Sequence, residues 1–333
     1  TMSRVVLLLA LLGALVLAGG YSAESSAGDD PLPSWNDGAT KSAILAFVEA
    51  TTREGSTAYV APADRIATFD NDGNLWPETP LPFQLVFALD ELKRLAPEHP
   101  EWKDDPIVQA ALAGDVATLK KGGHEALGTL LGLTHGGMTT EEFADRVRTW
   151  LKTARHPRFD RPYDELGYQP MLELLEYLRA HGYQTWIVSG GGADFMRVWA
   201  EEAYGIPPSQ IVGSVGGATF EMRDGEPVLV KEAKLAFIDD KAGKPVGIHR
   251  QIGKRPVLAS GNSDGDLQML QWTTIGRSPS LGLIVHHTDA EREYAYDKAP
   301  KSSGKLIQAL KEAPERGWLV VDMKKDWNRI FTK

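Results

Sequence analysis

The chain has 333 residues, 42% hydrophobic and 24% charged, with 33 Gly and 20 Pro spread along it; this is globular composition, long enough for a full core plus an accessory domain, and it excludes coiled-coil, collagen-like and disordered chains. Lys and Arg number 36 against 45 Asp and Glu, and the net charge of −9 repels polyanions, so no nucleic-acid partner is expected and any bound phosphate must be held by local groups. The absence of cysteine excludes disulfides, thiolate zinc centres and thiol nucleophiles, which leaves oxygen and nitrogen chemistry.

After Arg4 an uncharged run, VVLLLALLGALVLAGG, ends at Gly20 and is followed by polar YSAESSAGDD. The run is short for a bilayer span and has the layout of an export signal over residues 1–20, with small Ala18 and Gly20 ahead of a cut at Tyr21. A retained N-terminal anchor is the alternative reading. Lipid attachment is excluded, because Tyr21 stands where the acceptor cysteine would be. The expectation is an exported protein, periplasmic or secreted, with no stable membrane insertion once the signal is removed. Residues 21–40 read as a flexible linker, and nothing in the sequence specifies an oligomeric state.

Apolar residues at helical spacing predict a helix over Lys41–Thr52. Asp64–Asp70 (DRIATFD) reads as a strand ending in a carboxylate, Gln184–Ser189 (QTWIVS) as one ending in a hydroxyl, and Pro256–Ser260 (PVLAS) as one running into GNSDGD. LGLIV (281–285) and WLVV (318–321) are further short apolar runs. Between the first two strands lie helical patterns over Leu85–Leu95, Ile107–Leu112, Glu125–Leu131 and Thr140–Thr153, too much chain for one crossover. Pro77, Pro80 and Pro82 precede this segment and HPRFDRP (156–162) follows it, so residues 77–165 are expected to form an inserted helical domain. The core then comprises 41–76 and 166–333, with a returning helix over Pro170–His181 and a hairpin turning at Arg223-Asp224-Gly225-Glu226. The expected fold is α/β: a Rossmann-like parallel sheet flanked by helices, whose ligands collect outside the carboxyl ends of the strands.

Four segments carry chemistry. In FDNDGNLW, Asp70 and Asp72 stand two apart at a strand end before Gly73. Neighbouring carboxylates repel, so the pair suits a shared proton or a hard cation such as Mg²⁺, although a helix-capping loop has the same signature. VSGGG places Ser189 before Gly190, Gly191 and Gly192 and a predicted helix from Ala193, where backbone N–H groups and a hydroxyl could cradle phosphate; a plain glycine turn is the alternative. A dinucleotide fingerprint fails there, since Phe195 occupies the third glycine position. GKPVGI puts Lys244 at the start of a predicted helix, and GNSDGD places Asn262, Asp264 and Asp266 before another, where acidic residues also serve as simple N-caps.

In this order and spacing the four segments resemble the four motifs of the haloacid dehalogenase superfamily, over roughly residues 60–285, with the helical insert in the position of that family's cap. The most similar branch is the phosphoserine and phosphorylcholine phosphatase type. The resemblance implies that Asp70 is a nucleophile forming an aspartyl phosphate and Asp72 the general acid and base. It further implies that Ser189, Gly190 and Lys244 hold the phosphoryl group and that Mg²⁺ sits among Asp70, Asp72, Asn262 and Asp266. The implied function is hydrolysis of small phosphomonoesters. Two positions depart from the pattern: Asn74 stands where Thr is usual, and Asn262 where Asp is usual, which removes a negative charge from the metal site. That departure keeps open a catalytically weak protein that binds phosphate compounds or metal. A haloacid dehalogenase ranks third, because Asp72 is needed to protonate an alkoxide but not a halide.

Outside the motifs, His286 and His287 end a predicted strand before Thr288-Asp289-Ala290-Glu291, which reads as a capping box opening a helix. Trp35, Trp76, Trp102 and Trp272 are candidates for an aromatic cage around a quaternary cation, Trp76 being the best placed, with packing as the alternative.

Overall fold

Each short apolar run is a strand, and together they make one sheet. The computed structural model describes residues 30–332; the expected export signal and residues 21–29 lie outside them. In chain order come α1 (Ala39–Thr52), β1 (Ile66–Phe69), α2 (Phe83–Leu95), α3 (Pro106–Leu112), α4 (Val116–His135), α5 (Thr140–Thr153), α6 (Gln169–Ala180), β2 (Gln184–Gly192), α7 (Ala193–Met196) and α8 (Ala200–Tyr204). These are followed by β3 (Ile211–Arg223), β4 (Glu226–Phe237), α9 (Gly243–Gln251), β5 (Leu258–Gly261), α10 (Leu267–Thr274), β6 (Leu281–His286), α11 (Gln308–Arg316), β7 (Leu319–Asp322) and α12 (Met323–Asp326).

The seven strands lie in the order β4-β3-β2-β1-β5-β6-β7. All neighbouring pairs run parallel except β3 and β4, which form an antiparallel hairpin. Asp224 and Gly225 both have positive φ, 54° and 87°, at its turn, the conformation that Asp-Gly tolerates and most residue pairs do not. Because side chains alternate across a strand, the sheet feeds two cores. Ile187, Ile211, Leu258 and Leu283 pack with α1 and α6, while their neighbours Val188, Val212, Ala259 and Ile284 pack with α9, α10 and α11. This is the Rossmann-like architecture expected from the sequence.

Helices α2 to α5 fill the segment between β1 and β2. Asp105 caps α3 ahead of Pro106, and Thr139 with Glu142 forms a reciprocal capping box on α5. Leu92, Val108, Ala111 and Leu130 form a separate apolar cluster there, whereas Phe87, Phe143 and Trp150 join the main core. The span α4 consists of two helical stretches that meet at Gly123, whose φ of 55° and ψ of −137° are not helical, and the predicted Glu125–Leu131 helix lies in the second stretch.

Two expectations need correction. Part of the predicted linker is packed: Leu32 and Trp35 are buried, and Ser34 hydrogen-bonds both carboxylate oxygens of Glu173 through its N–H (2.8 Å) and Oγ (2.6 Å). Two apolar anchors within a polar run are enough to dock it. The capping box at Thr288 opens no helix. Its hydroxyl donates to Asp322 (2.6 Å), and Asp289 instead accepts from Glu291 N and Arg292 N in a local turn.

Candidate active site

Asp70 follows β1, Ser189 lies in β2 and Asn262 follows β5, so three adjacent parallel strands deliver their functional residues to one end of the sheet. Asp70, Asp72, Ser189, Gly190, Lys244 and Asp266 line a single open cleft of about 650 Å³. The sequence motifs therefore converge in space.

Lys244, in the first turn of α9, is buried at the centre of this arrangement. Its ammonium donates to Asp70 Oδ1 (2.8 Å), Asp266 Oδ1 (2.6 Å) and the carbonyl of Val188 (2.8 Å). All three of its protons are thus engaged. Burial alone would discharge it, but the carboxylates of Asp266 and Asp70 outweigh that and raise its pKa well above the ordinary lysine range. Asp70 moves in the same direction for a different reason: burial and then Asp266 raise its pKa well above normal, against the lowering by Lys244. Three carboxylates face one cation here, an imbalance that favours a further positive charge.

Asp266 is fully buried, and its second oxygen accepts from Asn262 N (2.9 Å) and Ser263 N (3.1 Å). Both of its oxygens are therefore occupied. Asp264 also borders the cleft, but its Oδ1 is committed to capping α11, accepting from Ile307 N and Ala309 N, each at 3.0 Å. Asn74 is also committed locally: its amide donates to Asp70 O (3.0 Å) and accepts from Ser260 Oγ (2.8 Å), tying the first motif to β5.

Among the described residues no cluster of three or more His, Asp or Glu side chains is arranged to hold a metal. The unengaged acceptors nonetheless fit a hard cation in a mixed set. Asn262 donates through Nδ2 to Glu78 (2.6 Å), while its buried Oδ1 has no partner among the described residues. Asp70 Oδ2, Asp72 Oδ2 and the carbonyl of Asp72 likewise accept no hydrogen bond among the described residues. Amide, carboxylate and carbonyl oxygens are the donors that Mg²⁺ takes.

The glycines after Ser189 do not form a turn. They continue β2, and α7 beyond them has only four residues. Gly191 N donates to Ser189 Oγ (3.1 Å) and Gly192 N to Gln84 Oε1 (2.6 Å), so the insert reaches the second motif through α2.

Several contributors escaped the sequence reading. Trp76 is no cation cage: it is buried, stacked on Trp199 at 4.0 Å, and its indole N–H donates to Asp72 Oδ1 (2.6 Å). Burial raises the pKa of Asp72, and the Trp76 bond opposes that rise. Of the other tryptophans, Trp35 packs on Trp327 and Trp102 on His99, while Trp272 lies beneath Arg255 on the surface. Glu78 reaches the cleft six residues after Asp72, and burial pushes its carboxyl up to about 7. His287 supports the first motif from behind, with Nε2 2.7 Å from Gly73 O and Nδ1 3.0 Å from Glu293. Both partners are acceptors, so both ring nitrogens carry protons. Burial works against that charge, but Glu293 prevails and raises the pKa. His286 lies 3.5 Å from Asp297. The usable sequence signal for Trp76 and Glu78 was proximity to the Asp-x-Asp turn; for Gln84 there was none.

No curated protein matches the chain in sequence. Among solved structures it resembles a protein with unknown function from Bordetella pertussis Tohama I (17% identity, 78% of this chain and 98% of that one, TM-score 0.46). It also resembles a functionally unknown protein from Anaerococcus prevotii DSM 20548 (16%, 80% and 91%, 0.49). A third is a phosphoserine phosphohydrolase-like protein from Francisella tularensis subsp. tularensis SCHU S4 (13%, 75% and 98%, 0.37). A model of the haloacid dehalogenase-like hydrolases matches residues 67–271, a span that holds all four motifs and the helical insert, and the chain belongs to that family.

Proposed function

We propose that the protein is an exported, magnesium-dependent phosphatase that hydrolyses small phosphomonoesters through an aspartyl phosphate, with the helical insert as a cap over the cleft. The observation that carries this reading is the Asp70 carboxylate: Lys244 fixes one oxygen at 2.8 Å and leaves the other unengaged in a cleft shared with Asp72.

The Asp70 carboxylate attacks phosphorus as the bond from phosphorus to the ester oxygen breaks. Asp72, whose pKa burial raises, gives its proton to the departing alcohol and then takes one from the water that cleaves the acyl phosphate. Ser189 and Gly190 offer polar contacts to the phosphoryl oxygens. Lys244, with its protons spent on protein acceptors, contributes charge and holds Asp70 rather than giving phosphate a free donor. Asp70, the Asp72 carbonyl and the orphaned Asn262 Oδ1 would hold Mg²⁺, while Asp266 orients Lys244 and the loop around Asn262. Bound there, the ion would supply positive charge to offset that of phosphate and the carboxylates.

Replacing Asp70 by Asn tests the proposal. Release of phosphate from an aryl phosphate in the presence of Mg²⁺ should disappear while the circular dichroism spectrum stays native. Turnover retained by Asp70→Asn removes Asp70 as nucleophile, and a wild-type protein that binds esters without releasing phosphate is the binding protein instead. Halide release from a chloroacid would point to the dehalogenase.

A further inference from the structure

The polar cleft does not end at Asp72. Asp72, Gly190, Gly191 and Asp240 also border a second cavity of about 300 Å³. Its walls are Leu85 of α2, Leu127 and Leu131 of α4, Phe143 of α5, Phe195 of α7 and Leu235 of β4. Helices of the insert and the hairpin thus enclose an apolar space that meets the polar one at the side chain proposed to protonate the leaving oxygen.

Away from Asp72 and Asp240, where it meets the polar cleft, the charged groups on this wall are matched with one another. Lys231 pairs with Asp194 and lies over the Phe143 ring, 4.7 Å from its centroid, and Lys234 pairs with Glu232 at 2.9 Å. One buried side-chain atom on this wall has no partner among the described residues. His135 Nδ1 lies 2.7 Å from Thr134 Oγ1, whose own proton goes to Leu130 O (2.7 Å), so Nδ1 must be the donor. Nε2 is then a bare acceptor, buried and without a partner among the described residues. Burial and the neighbouring Lys231 keep this imidazole neutral, with its pKa down to about 3.

We infer that this second cavity receives the alcohol portion of the substrate, and that the alcohol is apolar or aromatic with one hydrogen-bond donor, a hydroxyaryl group being the fitting chemistry. The inference rests on the phosphatase reading above. It places the phosphoryl group in the polar cleft, the ester oxygen at Asp72 and the organic part among the leucines and phenylalanines. A sugar or nucleoside would bury several hydroxyls against walls whose surface is mostly leucine and phenylalanine, and unpaired polar groups are costly there.

The test uses the full-length protein with Mg²⁺ and a series of esters differing only in the alcohol. From ethyl through butyl to hexyl phosphate, kcat/KM should climb roughly three- to fourfold per methylene. 2-(4-Hydroxyphenyl)ethyl phosphate should exceed 2-phenylethyl phosphate by about three- to tenfold, the worth of one hydrogen bond, and His135→Phe should erase that difference while keeping the chain-length trend. Calorimetry of the matching phosphonates on Asp70→Asn protein supplies a readout independent of turnover, with 2-phenylethylphosphonate binding more tightly than methylphosphonate. If esters are hydrolysed without a length trend, or phosphoserine or glucose 6-phosphate is the best of them, the inference about the cavity falls and the phosphatase reading stands. If nothing is hydrolysed yet the phosphonates rank as stated, the phosphatase reading falls and the cavity assignment survives. Equal phosphonate affinities overturn the cavity assignment in either case.

Discussion

Lys244→Met isolates the electrostatic centre of the site. The side chains are of similar length, so the substitution removes a charge and three hydrogen bonds, to Asp70, Asp266 and Val188, while still filling most of the space. Lys244 is 2% exposed, Asp70 7% and Asp266 0%, so solvent cannot replace the lost partner. Breaking a buried ion pair by deleting one member costs about 3–5 kcal/mol. In a chain of this size that is a fall in Tm of roughly 6–10 °C, at about 2 °C per kcal/mol. The loss should depend on pH. With the ammonium gone, Asp70 loses the influence that opposes burial and Asp266, so its folded pKa, already raised, rises further. A folded state that binds more protons than the unfolded one gains stability as pH falls. The deficit should therefore be largest at neutral pH and shrink on acidification through the carboxylate range. Adding Asp266→Asn to Lys244→Met, which removes a stranded charge, should recover part of it at neutral pH. Thermal melts followed by circular dichroism in EDTA at several pH values measure all of this. A variant as stable as wild type at neutral pH, or a deficit that grows on acidification, would refute the argument that Lys244 compensates buried carboxylates.

Two further outcomes follow from the first motif. Trp76→Phe keeps a ring beside Trp199 but deletes the N–H on Asp72 Oδ1; because that bond lowers the carboxyl's pKa, its loss should raise it, and the alkaline limb of kcat/KM should move to higher pH, which a pH–rate profile reads directly. Gly73 has φ +77°, and a Cβ there would collide with Asn262 Nδ2 and Glu78 Oε1, so Gly73→Ala should cost at least the ~1–3 kcal/mol of backbone strain and show it in urea denaturation; unchanged stability would mean that the loop has room it does not show.

How much of this could be read from the chain alone depended on the range of the interaction. Asp70, Ser189 and Asn262 each stand where an apolar strand meets a polar turn, and that boundary is local, written in a handful of consecutive residues. Parallel strands necessarily bring such boundaries to one end of a sheet, so their convergence was legible before any coordinates. Trp76 was visible as a residue but not as the donor on Asp72, because a tryptophan's indole N–H matters only once its ring is packed, here against Trp199. Thr288 shows the opposite failure: a correct local signature for a helix start lost to a longer-range partner, since Asp322 on the neighbouring strand takes the hydroxyl first.

The amino-acid sequence by itself determined the α/β class, the order of the strands along the chain, the helical insert and the residue types that reach the cleft, since each follows from periodicity and from turn chemistry over a few residues. Tertiary structure decided the rest. It engaged all three protons of Lys244 with protein acceptors, occupied both oxygens of Asp266, left Asn262 Oδ1 and His135 Nε2 without partners among the described residues, and set an apolar cavity against Asp72. These are contacts between groups far apart along the chain, and which donor meets which acceptor is settled by packing, to which a one-dimensional pattern carries no direct signal.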